Sequence, residues 1–281
     1  MNTTPSNRTY PLTRLVAAVV VPLLLLAFII LYLFPDQSGE RFAWAVTPHM
    51  TALYIGAGYL GGAVQLAAVA LGRPWHRVSH GFLPITTFTV FMLVATILHW
   101  DRFDLGHFPF QIWLIVYVIT PFLIPYLWLR NRKQDPGSPE PGDRIVPLPA
   151  RAAMIFSGAV FGVFAFVGFF FPDALIRLWV WPLTPLTARV FAGWFALLTV
   201  AGLSIGRERR WSAWKIGLAS IFVWHLLVAV GAFWNVADFG ENGLANWFLI
   251  LVWVALMGMA GLYLWLERDR FGSSNGRTGL V

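Results

Sequence analysis

The residues from His99 to His107 read HWDRFDLGH, which places two histidines and two aspartates beside a long apolar run. Four side chains in this stretch are of the types that bind zinc or a similar divalent ion: His99, Asp101, Asp104 and His107. The two histidines could instead sense protons, because imidazole titrates near neutral pH. The spacing matches no established metal motif, so the default interpretation is a solvated loop at the end of a membrane helix.

Polar groups are scarce inside the apolar stretches, where an ionisable or strongly polar side chain is costly to bury. Gln65 and His225 are therefore candidates for a substrate pathway through the protein. For His225 the structural alternative is a neutral imidazole that bonds a backbone carbonyl.

Several kinds of chemistry are excluded by the sequence. The chain has no cysteine, which removes disulfides, thiolate catalysis and cysteine-ligated metals. It also has no P-loop, dinucleotide fingerprint, H-E-x-x-H or G-x-S-x-G motif. No cofactor is expected, apart from a divalent metal at the His/Asp stretch, and no enzymatic mechanism is indicated elsewhere.

The elements that position these residues are predicted from composition. The chain is 58% hydrophobic and 12% charged, whereas a soluble domain carries roughly 25% charged residues. A transmembrane helix needs about 20 apolar residues. Eight stretches meet or approach this length: 12–34, 49–71, 81–100, 110–129, 152–171, 187–205, 216–234 and 244–266. The fold class predicted is all-α, a polytopic integral membrane protein with eight transmembrane helices.

The basic residues predict how these helices are oriented. Of 20 Lys and Arg residues, four fall in segments on one side, which leaves 16 for the other: Arg41, Arg102, Arg177 and Arg189 are the four. Basic residues concentrate on the cytoplasmic side of membrane proteins, so both termini are predicted to be cytoplasmic in a cell membrane. Contact with anionic lipid explains the net charge of +7, so the bilayer is the expected partner and nucleic acid is not.

The sequence contains an internal repeat. Phe-Pro-Asp at 34–36 recurs at 171–173, and Trp-x-x-Thr-Pro at 44–48 recurs at 181–185. A third shared motif, W-x-x-x-D-x-G, has these positions: Trp100, Asp104, Gly106, Trp234, Asp238 and Gly240. Each half holds four spans, which predicts two parallel four-helix repeats related by an axis along the membrane normal. His99, Asp101 and His107 occur only in the first half.

The repeat divides the chain into four parts. Residues 1–129 form the first membrane repeat, 130–151 a Pro/Gly-rich cytoplasmic linker, 152–266 the second repeat and 267–281 a cytoplasmic tail. Phe-Pro-Asp is interpreted as a helix stop, and Thr-Pro as the start of the next helix.

Other residues predict how the helices pack. Gly58 and Gly62 in one span and Gly158 and Gly162 in another have the spacing of closely packed helices. The 15 tryptophans lie mostly near span ends, which is typical of aromatic belts at a membrane surface.

Three functions are compatible with these features. The first is a transporter or permease-like bundle for a small or largely apolar solute, with Gln65 and His225 in its pathway. The second is a non-catalytic sensor, assembly factor or structural partner of other membrane proteins. The third is a membrane enzyme that uses the His/Asp stretch at the outer face.

Overall fold

The computed structural model describes the backbone of residues 5–240 and 244–274, with side chains up to residue 268. In this part of the chain there is no β-strand, and eight helices are long and apolar enough to cross a membrane. They are α1 Pro11–Phe28, α2 His49–Ala70, α3 Phe82–Leu98, α4 Phe108–Asn131, α5 Leu148–Phe170, α6 Pro185–Ile205, α7 Trp211–Trp234 and α8 Leu244–Ser274. The eight predicted helices are thus confirmed. Helices α5 and α7 begin several residues earlier than predicted, because the start of each includes a basic residue, Arg151 or Lys215, that hydropathy excludes from the apolar stretch.

The Phe-Pro-Asp motifs stop helices, as predicted. Helix α1 continues as a π-helix, Ile29–Leu33, and ends at Phe34, whose backbone has φ −133° and ψ 53°. Helix α5 ends at Phe171 with nearly the same backbone angles, φ −129° and ψ 61°. In both places the residue precedes proline, which disfavours the helical conformation.

The two Thr-Pro motifs start their helices differently. The Thr184 hydroxyl accepts a hydrogen bond from the backbone N–H of Thr187, so it caps α6 as predicted. The Thr47–Pro48 peptide bond is cis, and α2 begins at His49 without a cap from Thr47.

The helices pack in a pattern that links the two halves of the chain. Helix α1 packs against α2 and α5 against α6, while α3 packs against α4 and α7 against α8. Helix α2 also packs against α7, and α6 against α3. Helices α2 and α6 have the largest buried shares among the eight. The same pairs result when α1–α4 are exchanged with α5–α8.

Helices α5 and α6 approach each other closely at a pair of glycines. A Cβ atom added at Gly202 would lie 2.6 Å from the carbonyl oxygen of Met154 and 2.9 Å from the Cα atom of Gly158. A Cβ at Gly158 would in turn lie 3.0 Å from the carbonyl oxygen of Thr199. The backbones meet here because both helices carry glycine, as the Gly158 spacing predicts.

The linker lies against one end of the bundle. We call this end the linker face, where α2 ends, α3 and α7 begin and residues 132–147 lie; the loop face carries residues 34–48, 99–107 and 171–184. The backbone N–H of Ser212 donates to Asp143, and the N–H of Trp211 to the carbonyl of Arg144. These bonds fix the linker to the start of α7.

About half of the tryptophans lie in the interior, within three apolar clusters, which corrects the prediction of surface belts for that half. Eight tryptophans are buried: Trp44, Trp75, Trp113, Trp181, Trp194, Trp211, Trp214 and Trp224. Five others are exposed: Trp100, Trp234, Trp247, Trp253 and Trp265. Ring centres of Trp44 and Trp113 are 5.0 Å apart, and those of Trp194 and Trp224 are 4.9 Å apart. Position near a helix end does not distinguish lipid-facing rings from rings that point into the bundle.

Candidate functional site

The side chains of the HWDRFDLGH stretch bond to separate partners on the loop face. The His99 Nε2 atom lies 2.8 Å from the Nη1 atom of Arg189, and the His107 Nε2 atom lies 2.9 Å from the carbonyl oxygen of Phe42. In the described part of the chain, no group of three or more His, Asp or Glu residues is arranged to hold a metal ion. The geometry of this stretch therefore gives no support to the metal-site hypothesis.

The surroundings of His99 disfavour its charged form. Burial lowers the pKa of His99, and the guanidinium of Arg189 lowers it further. A neutral imidazole can accept the hydrogen bond that Arg189 donates. Arg189 also donates from Nε to the carbonyl oxygen of Phe169, 3.2 Å away. His99 thus ties α3 to α6 across the two halves.

The aspartates of this region stabilise turns and a helix start. Asp104 accepts a hydrogen bond from the backbone N–H of Gly106 at 2.7 Å, and Asp101 lies 3.4 Å from Arg102. Asp238, which the repeat pairs with Asp104, accepts from the backbone N–H of Met50 at 2.7 Å. A carboxylate at this position satisfies a free N–H at the start of α2.

An apolar cavity lies in the bundle, toward the linker face. It has a volume of about 110 Å³ and is lined by residues of α2, α3, α6 and α7, with smaller contributions from α5 and α8. For comparison, an apolar cavity of about 150 Å³ binds benzene. The space therefore suits a solute with an apolar part slightly smaller than a benzene ring.

Glycines on α2 and α7 shape this cavity. A Cβ atom at Gly58 would lie 2.7 Å from the ring of Trp194, and one at Gly61 would lie 2.9 Å from the carbonyl oxygen of Ser220. These glycines let the walls approach each other. At Gly217, which also lines the cavity, an added Cβ would meet no atom within 4 Å. The absent side chain at Gly217 therefore leaves the space open.

The structure places only one of the two predicted pathway residues in this cavity. Gln65 lines it, is 5% exposed, and donates from Nε2 to the carbonyl oxygen of Val78 at 3.0 Å. His225 does not line it; its Nδ1 atom lies 2.9 Å from the carbonyl oxygen of Ile221, one turn earlier in α7. The imidazole of His225 thus bonds within its own helix.

Arg77 and His80, from the short segment between α2 and α3, line the cavity at its linker-face end. From the sequence, Arg77 counts only as one of the basic residues that indicate orientation, and His80 carries no signal that distinguishes it. The His80 ring bonds Ser204 Oγ through Nδ1 at 2.9 Å and Glu208 through Nε2 at 3.2 Å. His80 also lines a second, polar cavity of about 200 Å³ with Asp135. It therefore stands between the apolar cavity and this polar one.

A charged network surrounds the polar cavity. Arg210 donates to both carboxylate oxygens of Asp135, at 2.6 and 2.9 Å, and to both of Glu208, at 3.0 and 2.6 Å. Burial alone would raise the pKa of Glu208, but hydrogen bonds from His80 and Arg210 outweigh it and hold the pKa well below its usual range. The same balance, with hydrogen bonds from Arg210 and Gly137, lowers the pKa of Asp135.

A second charged group, formed by His76, Arg77 and Glu140, joins the linker to the cavity. Arg77 donates from Nε to Glu140 Oε1 at 3.0 Å and from Nη2 to Oε2. These hydrogen bonds from Arg77 hold the pKa of Glu140 below its ordinary value. The His76 Nε2 atom lies 3.2 Å from Glu140 and 3.0 Å from the Ser212 hydroxyl. Glu140 thus bonds two side chains of the segment before α3.

No protein-family model, curated protein or solved structure shows significant similarity to the chain. The geometry of the apolar cavity is therefore the main indication of function. It lies between helices of both halves, the rings of Trp194 and Trp224 form part of its wall, and Arg77 and His80 lie at its linker-face end.

Proposed function

We propose that the protein is a membrane permease whose central cavity takes up a small, largely apolar solute. One observation carries the proposal: the cavity is lined by α2 and α3 from one half of the chain and by α6 and α7 from the other. In transporters built from repeats, the solute site lies at the interface between the repeats. The apolar lining and the few polar groups are typical of a small-molecule site.

The proposal includes the duplication and the orientation of the chain. The helix pairs stay the same when α1–α4 are exchanged with α5–α8, and Phe34 and Phe171 share nearly the same backbone angles. Both observations support two parallel repeats. Since 16 of the 20 basic residues belong to the segments of the linker face and to the chain ends, this face is the cytoplasmic one.

Filling the cavity is expected to abolish solute passage. Gly217→Leu adds four carbon atoms at a position that lines the cavity, where nothing lies within 4 Å of the new Cβ, so the side chain takes up space that the solute would occupy. Replacing a helical glycine also stabilises a helix by about 0.5–1 kcal/mol. In stopped-flow light scattering, vesicles with the wild-type protein should swell in isobutyramide faster than protein-free vesicles. Vesicles with Gly217→Leu should swell at the protein-free rate.

The matched control is Gly258→Leu. Gly258 lies on α8, lines neither cavity, and also has nothing within 4 Å of an added Cβ. This variant should swell at the wild-type rate. If wild-type vesicles swell no faster than protein-free ones, the permease proposal is wrong, and the role of a non-catalytic membrane partner becomes the better explanation.

A further inference from the structure

Arg77 is the residue in the cavity wall whose charge can select a solute. Its guanidinium makes two hydrogen bonds to Glu140. The Arg77 and Glu140 side chains are 32% and 27% exposed, so the pair stands at the edge of the bundle. A guanidinium binds carboxylates through paired N–H groups with defined geometry. A carboxylate already occupies this position, and it belongs to the linker.

Glu140 is held less firmly than the other carboxylate near the cavity. Glu208 accepts from the Arg210 side chain and from the backbone N–H groups of Arg209 and Arg210, and its side chain is 11% exposed. The Glu140 carboxylate contacts the side chains of Arg77 and His76. Glu140 is thus the more exposed of the two and contacts side chains, whereas Glu208 is also bonded by the backbone of its own loop.

We propose that the solute is a small carboxylate with a branched or short hydrocarbon body, and that its carboxylate replaces Glu140 on Arg77. The hydrocarbon part then occupies the space beside Gly217. Glu140 is a competitor within the chain that covers Arg77 when no solute is bound. This inference rests on the proposed function and specifies the class of its substrate.

Three probes of nearly equal shape test the charge preference. Isobutyrate, isobutyramide and isobutylammonium carry charges of −1, 0 and +1 on the same hydrocarbon body. Their binding to the purified full-length protein is measured by isothermal titration calorimetry in detergent at neutral pH. Isobutyrate is expected to bind about tenfold more tightly than isobutyramide, since it gains a charge-assisted pair with Arg77, and isobutylammonium most weakly.

Two variants of the linker distinguish competition between Glu140 and the solute for Arg77 from a general loosening of the linker. Glu140→Gln removes the competing charge and is expected to tighten isobutyrate binding about five- to tenfold. Asp143→Asn is the matched control: Asp143 holds the same linker through Ser212 but does not touch Arg77. It should leave isobutyrate affinity unchanged. Equal tightening in both variants would contradict competition at Arg77.

Replacing Arg77 distinguishes the inference from the proposed function. Arg77→Gln should lose the preference for isobutyrate while isobutyramide still binds, which also shows that the variant is folded. If wild-type protein binds isobutyramide as well as isobutyrate, or prefers isobutylammonium, the carboxylate assignment is wrong and the permease proposal stands. If none of the three probes binds, both are wrong.

Discussion

Replacing Arg210 with methionine is expected to lower the free energy of unfolding by about 3–5 kcal/mol, because it leaves carboxylates without their cation. The Arg210 side chain is 8% exposed and pairs with Glu208, which is 11% exposed, and with Asp135. Methionine retains much of the side-chain volume, so the loss reports charge and hydrogen bonds. Unfolding of the detergent-solubilised protein by denaturant at pH 7 measures the change.

Arg209→Met is the control for this prediction. Arg209 is the neighbouring arginine and its side chain is exposed, so its replacement should change stability by less than about 0.5 kcal/mol. Equal effects of the two substitutions would show that the Arg210 network contributes nothing specific.

The lowered pKa values of Glu208 and Asp135 predict how the stability of the wild-type protein and of the Arg210→Met variant depends on pH. A carboxyl group with a lowered pKa stabilises the folded protein above its unfolded-state pKa, and this stabilisation is lost as pH falls toward the folded-state value. Wild-type stability should therefore fall below about pH 4.5. In the Arg210→Met variant these carboxylates no longer pair with a guanidinium, so the variant should lose less stability over the same pH range.

Gly202→Ala is expected to destabilise the protein by about 1–3 kcal/mol, although alanine is the better helix former. The new Cβ would lie 2.6 Å from the backbone oxygen of Met154 and 2.9 Å from the Cα of Gly158. Backbone atoms cannot move aside as a flexible side chain can, so α5 and α6 must separate. Thermal unfolding in detergent measures the effect.

Gly258→Ala is expected to have the opposite effect and to stabilise the protein. An added Cβ at Gly258 meets nothing within 4 Å, so only the gain in helix propensity of up to about 1 kcal/mol remains. A stabilising effect at both positions would mean that the α5–α6 crossing is looser than described.

Features that depend on residues close together in the chain were predictable from the sequence. Eight apolar stretches predict eight helices because a bilayer demands a fixed length of apolar chain. The stops at Phe34 and Phe171 follow from the proline that succeeds each of them. Thr184 and Pro185, which are adjacent in the chain, mark the start of α6, although the same pair at Thr47 and Pro48 provides no side-chain cap.

The cavity and its charged end depend on contacts between distant residues. Arg77 and Glu140 are 63 positions apart, and Arg210 and Asp135 are 75 apart. Hydropathy identifies which residues are apolar, but it does not show that α2 packs against α7, or that Gly217 faces an open space. Gln65 lies in the cavity wall and His225 does not, although both are polar residues in apolar helices, because only packing distinguishes their positions.

The HWDRFDLGH stretch shows the same limit. Its four side chains are close in sequence, but each has its own partner: Arg189 for His99, Phe42 for His107, and neighbouring residues for the two aspartates. Spacing along the chain could not predict where these side chains point, since the partners of His99 and His107 come from other segments.

The most direct test of solute binding in the cavity uses the substitution Gly217→Cys. The introduced thiol is unique because the chain has no cysteine, and its reaction with methyl methanethiosulfonate is followed by mass spectrometry. Arg209→Cys, on the exposed linker face, is the control. We predict that isobutyrate and isobutyramide slow the modification at position 217 at least several-fold and leave that at 209 unchanged. Equal rates at position 217 with and without these solutes would contradict a solute site in this cavity.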